Sequence, residues 1–372
     1  MSLPLVSVGV AVHNGRRHLR QTLDSLLAQT HPRLEIVISD DASSDESGEI
    51  CREYAGRSPT VRYCRCAENI GATRNLNRLF WQSQGDFFFW STQSDFWQPA
   101  YVTTCLDEMA RRPDAVLCHG PTRLVDLVGR PIRIAEEPLE TEESDPARRI
   151  GHLVRRMGSG NIFHGLYRSA ALGRTALLRT CYGHDLLLLS ELSLFGTICQ
   201  HQQPLFNRRI DPAETQQQIM DRWQGMIGLG ERERQIPFLT LAQGFVEMTA
   251  RAPLGPVGRE ALLSEVISAF GARFGNELAR ELPVLLRIGE GISRASDLQS
   301  FDFTCYCRVF ALFAFRDELP QLAAHERDRW LAILRGRGPA AAQDLLAGHV
   351  SYRIGSRVRR MLRRLRSGAG NG

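Results

Sequence analysis

Two hydrophobic periods alternate over the first 120 residues. Residues 5–12 are an almost unbroken apolar run, too short for a helix and long enough for a buried strand. Residues 16–29 then place Leu19, Leu23, Leu26 and Leu27 at helical spacing. The same alternation repeats: strand at 34–39, helix to about Tyr54, strand at 61–66, helix at 75–84, strand at 86–90, helix at 99–112, strand at 115–119. Ser43 or Ser44 supplies an N-cap for the second helix, and Pro99 suits the first turn of the fourth. Strands separated by helices predict an α/β fold with a mostly parallel sheet flanked by helices.

Beyond residue 120 the pattern changes. Residues 135–148 are Glu-rich and predict an exposed loop, followed by a helix to Met157, a strand-like 161–166, a helix at 185–195 and a strand at 197–201. From 211 to 347 the pattern is mostly helical, broken at Pro237, Pro253 and Pro256. The expected organisation is an α/β domain over 1–212, a helical C-terminal region over 213–350 and a basic tail over 351–372. No internal repeat is visible, and the last few residues read as a disordered end. No apolar run approaches the ~20 residues of a spanning helix. The N-terminus lacks the basic start of a signal peptide and predicts a first strand directly.

Composition narrows the chemistry. The chain has 46 basic and 41 acidic residues, and every basic residue is Arg. Without Lys there is no Schiff-base chemistry, no P-loop lysine and no kinase phosphate-pairing lysine. Anions must be handled by guanidinium groups, helix N-termini or metal ions. The formal charge of +5 is also local. Arg353, Arg357, Arg359, Arg360, Arg363, Arg364 and Arg366 crowd the tail without an acid, leaving the rest close to neutral. Interleaved with Ile354, Val358, Met361, Leu362 and Leu365, they read as an amphipathic helix of the kind that lies on anionic membrane, or as a solvated terminal helix. Nucleic acid is disfavoured as a partner, because no further excess of charge supports it. Nine Cys without Cys-x2-Cys spacing read as buried thiols in a reducing, cytoplasmic compartment.

Ligands of open parallel sheets bind beyond the carboxyl ends of the strands. Those ends carry His13-Asn14-Gly15, Asp40-Asp41, Asn69-Ile-Gly71-Ala-Thr-Arg74-Asn75 and Thr92-Gln93-Ser94-Asp95. With no Gly-x-Gly-x-x-Gly, a dinucleotide fold is disfavoured, and a nucleotide held through base and ribose is favoured.

Val6-Ser-Val-Gly-Val-Ala-Val-His-Asn-Gly, Leu23-Asp-Ser-Leu-Leu-Ala-Gln-Thr-His-Pro32, Ile38-Ser-Asp-Asp-Ala-Ser-Ser-Asp45 and Asn69-Ile-Gly, in this order, resemble the start of family 2 glycosyltransferases of the GT-A fold. Gly160-Asn161, Leu166-Tyr-Arg168 and Gly183-His-Asp185-Leu-Leu-Leu-Leu-Ser-Glu191 resemble the family's acceptor half. The resemblance covers about residues 3–212. It implies inverting transfer of a sugar from a nucleotide diphosphate donor to an acceptor hydroxyl, with a carbohydrate or lipid-linked acceptor at the cytoplasmic membrane face.

On that resemblance Asp40 and Asp41 accept hydrogen bonds from base and ribose, although Asx-turn and capping roles explain such acids too. His13, Asn14, Asn69, Arg74, Asn75, Ser94 and Asp95 join them on the donor side. Asp185 matches the general base, with helix-start acid as the structural alternative, and His184 is a second candidate. Trp97, Ser159, Asn161, His164 and Tyr167 fall on the acceptor side. The family's D-x-D motif holds Mg²⁺ or Mn²⁺ against the diphosphate, but here the stretch is Gln93-Ser94-Asp95, so metal binding through Asp95 is expected to be weak or absent. Arg208 and Arg209 then either carry the diphosphate or form a solvated pair at a strand end. The rival to a transferase is a non-catalytic nucleotide-sugar-binding or scaffold protein descended from one.

Overall fold

The structure is a computed structural model that describes residues 3–158, 160–292 and 309. The chain divides into two compact units, Met1–Gly230 with Glu247–Ala269, and Glu231–Val246 with Phe270–Gly372.

In the first unit the expected alternation is present as β1 (Val6–Val12), α1 (Leu19–Leu27), β2 (Leu34–Asp40), α2 (Ser47–Arg57), β3 (Val61–Arg65), α3 (Ala72–Gln82) and β4 (Phe87–Ser91). After β5 (Phe96–Trp97), α4 (Tyr101–Arg111) and β6 (Ala115–His119) come β7 (Thr122–Val125), β8 (Pro131–Ala135) and α5 (Pro146–Arg156). Then follow β9 (Leu166–Arg168), the short α6 (Ser169–Leu172), α7 (His184–Leu192), β10 (Thr197–Gln200), β11 (Phe206–Arg209) and α8 (Gln216–Ile227). The main sheet has seven strands in the order β10-β6-β9-β4-β1-β2-β3. All pairs are parallel except those of β9, which runs antiparallel between β4 and β6.

The apolar runs became central strands because both faces are covered. Val6, Val8 and Val10 are fully buried, as are Leu19, Leu23 and Leu26 of α1, each worth about 1.5–3 kcal/mol of burial. Gly9 lets α3 sit directly on β1: a Cβ there would lie 2.9 Å from Leu79 Cβ and 2.8 Å from the Phe88 ring.

A second sheet, β5-β11-β7-β8, has no counterpart in the expected pattern. Two further expectations are corrected. Residues 161–166 are not a strand: Asn161–His164 form a 3-10 turn entered through Gly160 at φ 77°, and the strand starts at Leu166. The Glu-rich 135–148 stretch is not simply exposed. Glu137, Leu139 and Thr141 alternate inward at 9%, 2% and 1% exposure, and Thr141 N–H donates to Ile198 O at 3.0 Å.

Beyond α8 the described chain is helical. Of α9 (Glu231–Gln235), α10 (Pro237–Arg251) and α11 (Pro256–Ile292), Pro237 and Pro256 open helices and Pro253 lies between them, as the breaks in the pattern predict. Inside the second unit, buried Glu281 accepts the Phe238 and Leu239 N–H groups, both at 2.8 Å, at the start of α10. Burial pushes its carboxyl up to about 7 despite these bonds. The same unit holds Phe245–Phe270 and Phe270–Phe274 ring contacts, with centroids 5.7 and 4.8 Å apart. The basic tail lies outside the described residues. Among those described, no helix is long and apolar enough to cross a membrane.

Candidate active site

The carboxyl ends of β1, β2 and β4 bring polar side chains to one edge of the main sheet. His13 and Asn14 follow β1 and are exposed. Asn14 takes φ 52°, a left-handed conformation that Asn tolerates, and its side-chain oxygen accepts the Ser44 N–H at 2.8 Å. His13 is held by Gln93, which accepts its N–H at 2.6 Å and donates to its carbonyl at 2.9 Å. His13 Nδ1 lies 2.7 Å from Asp41 O, so Nδ1 carries the proton and Nε2 is the acceptor. Asn69 Nδ2 stands 3.4 Å from that Nε2.

Asp40 and Asp41, expected as ligand groups, lie beneath this edge and hold its loops. Asp40 is 0% exposed, and its carboxylate accepts from Ser43 N at 2.8 Å, Tyr63 OH at 2.9 Å and Arg65 Nη1 at 2.6 Å. Burial alone would raise its pKa, but the bonds from Ser43, Tyr63 and Arg65 outweigh burial and hold it below the usual carboxylate range. Asp41, 3% exposed, takes the N–H groups of Ile70 at 2.7 Å and Gly71 at 3.0 Å and so pins the loop into α3. Arg74 is exposed on the first turn of α3. Asn75 is buried and donates to Ser39 O at 3.0 Å.

Replacing Asp40 by Ala removes the charge-assisted hydrogen bonds of a buried carboxylate and is expected to cost about 2–3 kcal/mol, read as a lower urea midpoint. Because the folded pKa is depressed, this contribution is whole above the ordinary carboxylate pKa of about 4 and is lost as pH falls below it. The wild-type advantage over Asp40→Ala should therefore shrink between about pH 5 and about pH 3. An unchanged gap would remove Asp40 from the stability account.

After β4, Thr92 and Arg209 lock Asp95 in place. Asp95 is 4% exposed; Oδ1 accepts the Arg209 N–H at 2.8 Å and Oδ2 the Thr92 hydroxyl at 2.7 Å. The Arg209 guanidinium donates to Ser94 O at 3.0 Å, to Asp126 O and Leu127 O at 3.2 Å, and to Gln21 Oε1 at 2.6 Å. It is not a solvated charge; it clips three segments together. Burial, followed by the charges of Arg209 and Arg17, pushes half-buried His18 down to about 4, so its ring is neutral near pH 7.

The neighbouring strand residue faces the other way. Arg208 Nη1 donates to Asn161 Oδ1 at 2.5 Å, and Asn161 Nδ2 donates to Glu137 Oε1 at 3.0 Å. His164 is buried in the same region, with its carbonyl held by Tyr101 OH at 2.6 Å. Burial pushes its imidazole down to about 4, while Asp95, Arg208 and Asp185 all act on it electrostatically. Asp185 opens α7, with Oδ1 taking the Leu186 N–H at 2.8 Å and Oδ2 against Gly160. His184 has its pKa lowered by burial, and its Nδ1 has no hydrogen-bond partner among the described residues.

The acceptor-side expectations divide. Asn161 and His164 lie at the site. Trp97 and Tyr167 do not wall it, because both are core residues, at 2% and 0% exposure. Trp97 stacks on Phe206 with centroids 5.1 Å apart, and Tyr167 stands edge-on to Trp90 at 5.2 Å, its hydroxyl donating to Phe163 O at 2.8 Å. Ser159 lies outside the described residues. Sequence reasoning missed Glu137, Gln93 as the clamp of His13, and the Asp40–Arg65 pair. Only the last had a signal: opposite charges at the ends of two consecutive strands, which the parallel register places side by side.

The residues present do not fit a chelated Mg²⁺ or Mn²⁺. Among the described residues no three His, Cys, Asp or Glu side chains come together as ligands. Asp95 is the single carboxylate at the D-x-D position, both its oxygens accept hydrogen bonds, and the guanidinium of Arg209 acts on it from close range. A divalent cation there would meet a positive neighbour and one carboxylate already in use.

The parallel sheet with one antiparallel strand, and a polar site at its carboxyl edge, define a GT-A-type α/β domain. Residues 7–178 match the family model described as glycosyl transferase family 2. The putative glycosyltransferase EpsH of Bacillus subtilis strain 168 is 32% identical over 126 residues, covering 34% of this chain and 36% of its own length. The putative teichuronic acid biosynthesis glycosyltransferase TuaG of the same strain is 30% identical over 117 residues, covering 32% of this chain and 46% of its own length. An uncharacterized glycosyltransferase of Rickettsia felis is 29% identical over 133 residues, 35% of this chain, but these span only 21% of its length. The chain thus spans less than half the length of these curated relatives. The crystal structure of S. aureus TarS 1-349 in complex with UDP-GlcNAc shares the fold, with a TM-score of 0.57 over 94% of this chain and 93% of that one at 14% identity. Residues 7–178 belong to glycosyl transferase family 2.

Proposed function

We propose that the protein is an inverting glycosyltransferase that moves a sugar from a nucleoside diphosphate donor to an acceptor hydroxyl, in the synthesis of a surface polysaccharide or glycolipid. The observation that carries this reading is the polar edge that His13, Asn14, Asn69 and Asp95 form beyond the strands of a domain matching the glycosyl transferase family 2 model. Open α/β sheets bind ligands at that edge. The naming of TuaG supports a polysaccharide product.

In this reading the acceptor oxygen attacks the anomeric carbon on the side opposite the diphosphate. The carbon–oxygen bond to the diphosphate breaks and the nucleoside diphosphate leaves with the bonding electrons. Asp185 takes the hydroxyl proton as attack proceeds. Neutral His164 and His184 border the site without adding charge to it. His13, Asn14 and Asn69 form the exposed rim for the nucleoside, and Asp40 and Asp41 fix the loops beneath that rim. A lipid-linked acceptor, with the arginine-rich tail on an anionic cytoplasmic membrane face, completes the proposal.

The rival reading, a protein that binds a nucleotide sugar without turnover, draws on the Gln93-Ser94-Asp95 stretch. A panel of nucleotide sugars headed by UDP-GlcNAc, the ligand of TarS, separates the two. A donor is expected to raise the melting temperature by mass action and to release nucleoside diphosphate when acceptor glycans are added. Stabilisation without release across the panel would favour the binding protein, and no stabilisation by any nucleotide sugar would end both readings.

A further inference from the structure

We infer that Arg208, and not a divalent cation at Asp95, carries the charge of the donor's diphosphate, with Asn161 and Glu137 as its positioning residues. The inference rests on the nucleotide-sugar reading above and adds how the leaving group is held.

Arg208 and Arg209 are consecutive on β11, so the pleat sends their side chains to opposite faces. Arg209 is spent on the scaffold: its guanidinium serves four oxygens of the chain and its N–H serves Asp95. Arg208, on the other face, is half-buried and donates to the side chain of buried Asn161. Its direction is set by a buried relay. Glu137 accepts from the Asn161 amide nitrogen, which turns the Asn161 oxygen toward Arg208 Nη1. Asn161 and Glu137 are 5% and 9% exposed, so the relay works where water competes poorly.

The electrostatics point the same way. A diphosphate needs positive charge as the bond to the sugar breaks. A dication at Asp95 would have the positive charge of Arg209 acting against it. The guanidinium fork matches phosphate oxygens in pairs, and the chain contains no Lys to substitute for it.

The test measures binding of UDP and GDP, and of UMP, GMP, uridine and guanosine, to the full chain in EDTA and with Mn²⁺ or Mg²⁺. The expected result is nucleoside diphosphate affinity that changes less than about threefold with metal. Arg208→Gln should weaken diphosphate binding about tenfold to a hundredfold, the range of a charge-assisted bond, while uridine or guanosine affinity holds. Arg208→Lys, which keeps the charge but loses the fork, should fall between. Glu137→Gln and Asn161→Ala should weaken diphosphate against nucleoside binding in the same selective way, a split that a general loss of packing would not produce. Binding that disappears in EDTA and returns with Mn²⁺, or an Arg208→Gln variant that binds UDP and GDP as the wild type does, would overturn the inference while leaving the nucleotide site intact. No binding of any nucleotide by the wild type would remove the nucleotide-sugar reading, and this inference with it.

Discussion

Asp185→Asn is expected to lower kcat by about a hundredfold to ten-thousandfold, the span of lost general-base catalysis, with donor affinity unchanged within about twofold. The amide keeps the size of the carboxylate and can still accept the Leu186 N–H now held at 2.8 Å, so the start of α7 has no reason to move. What it loses is the capacity to take the acceptor proton. Steady-state kinetics with titrated nucleotide binding check both halves together. A fully active variant would mean that the proton goes elsewhere, and His184, whose pKa is lowered by burial, would be the next group to replace. Loss of donor affinity in step with kcat would make Asp185 a binding group instead.

Gly160→Ala should be nearly as damaging although it adds one methyl group. Gly160 sits at φ 77°, where an L side chain costs roughly 1–2 kcal/mol. A Cβ there would also collide with Asp185 Oδ2, whose partner oxygen is tied to the Leu186 N–H. The carboxylate must swing away, and a displacement of about 1 Å at a reacting group costs on the order of a hundredfold in kcat. The two effects separate in Gly160→Asn, because Asn tolerates the left-handed conformation yet still carries a Cβ. It should regain stability in a melting experiment without regaining turnover. If Gly160→Asn restores kcat, backbone strain rather than crowding of Asp185 is the cause.

The parts of this molecule legible in its sequence are those where burial acts on long uniform segments. The strands β1, β2, β4 and β6 show as apolar runs because both their faces are buried, and α1 shows through its leucines. The second sheet does not show, since β5 has two residues and β11 is Phe206-Asn-Arg-Arg, which becomes a strand only by pairing with residues 96–97 and 122–125. The candidate site follows the same division. Asp95, Asp185 and Arg208 could be nominated by resemblance, but Glu137 lies in an acid-rich stretch that looks solvated until the fold buries it. Trp97 looked like a sugar platform beside a polar loop and is instead the core of the small sheet, stacked on Phe206. Asp40 stands at a strand end, where ligands bind, and the fold adds its bond to the parallel-register neighbour Arg65.

The clip made by Arg209 also bears on when the site comes into being. Its bonds to Asp95 and Gln21 close loops of 114 and 188 residues. Contacts of such sequence separation are among the last rewards of folding, since the chain must give up the entropy of large loops before making them. Asp95 and Arg208 therefore gain their places together, once the chain through β11 has been made and folded. On the proposed function, a chain cut before residue 209 lacks the Arg209 bonds to Asp95 and Gln21 and is expected to show no turnover of an activated sugar.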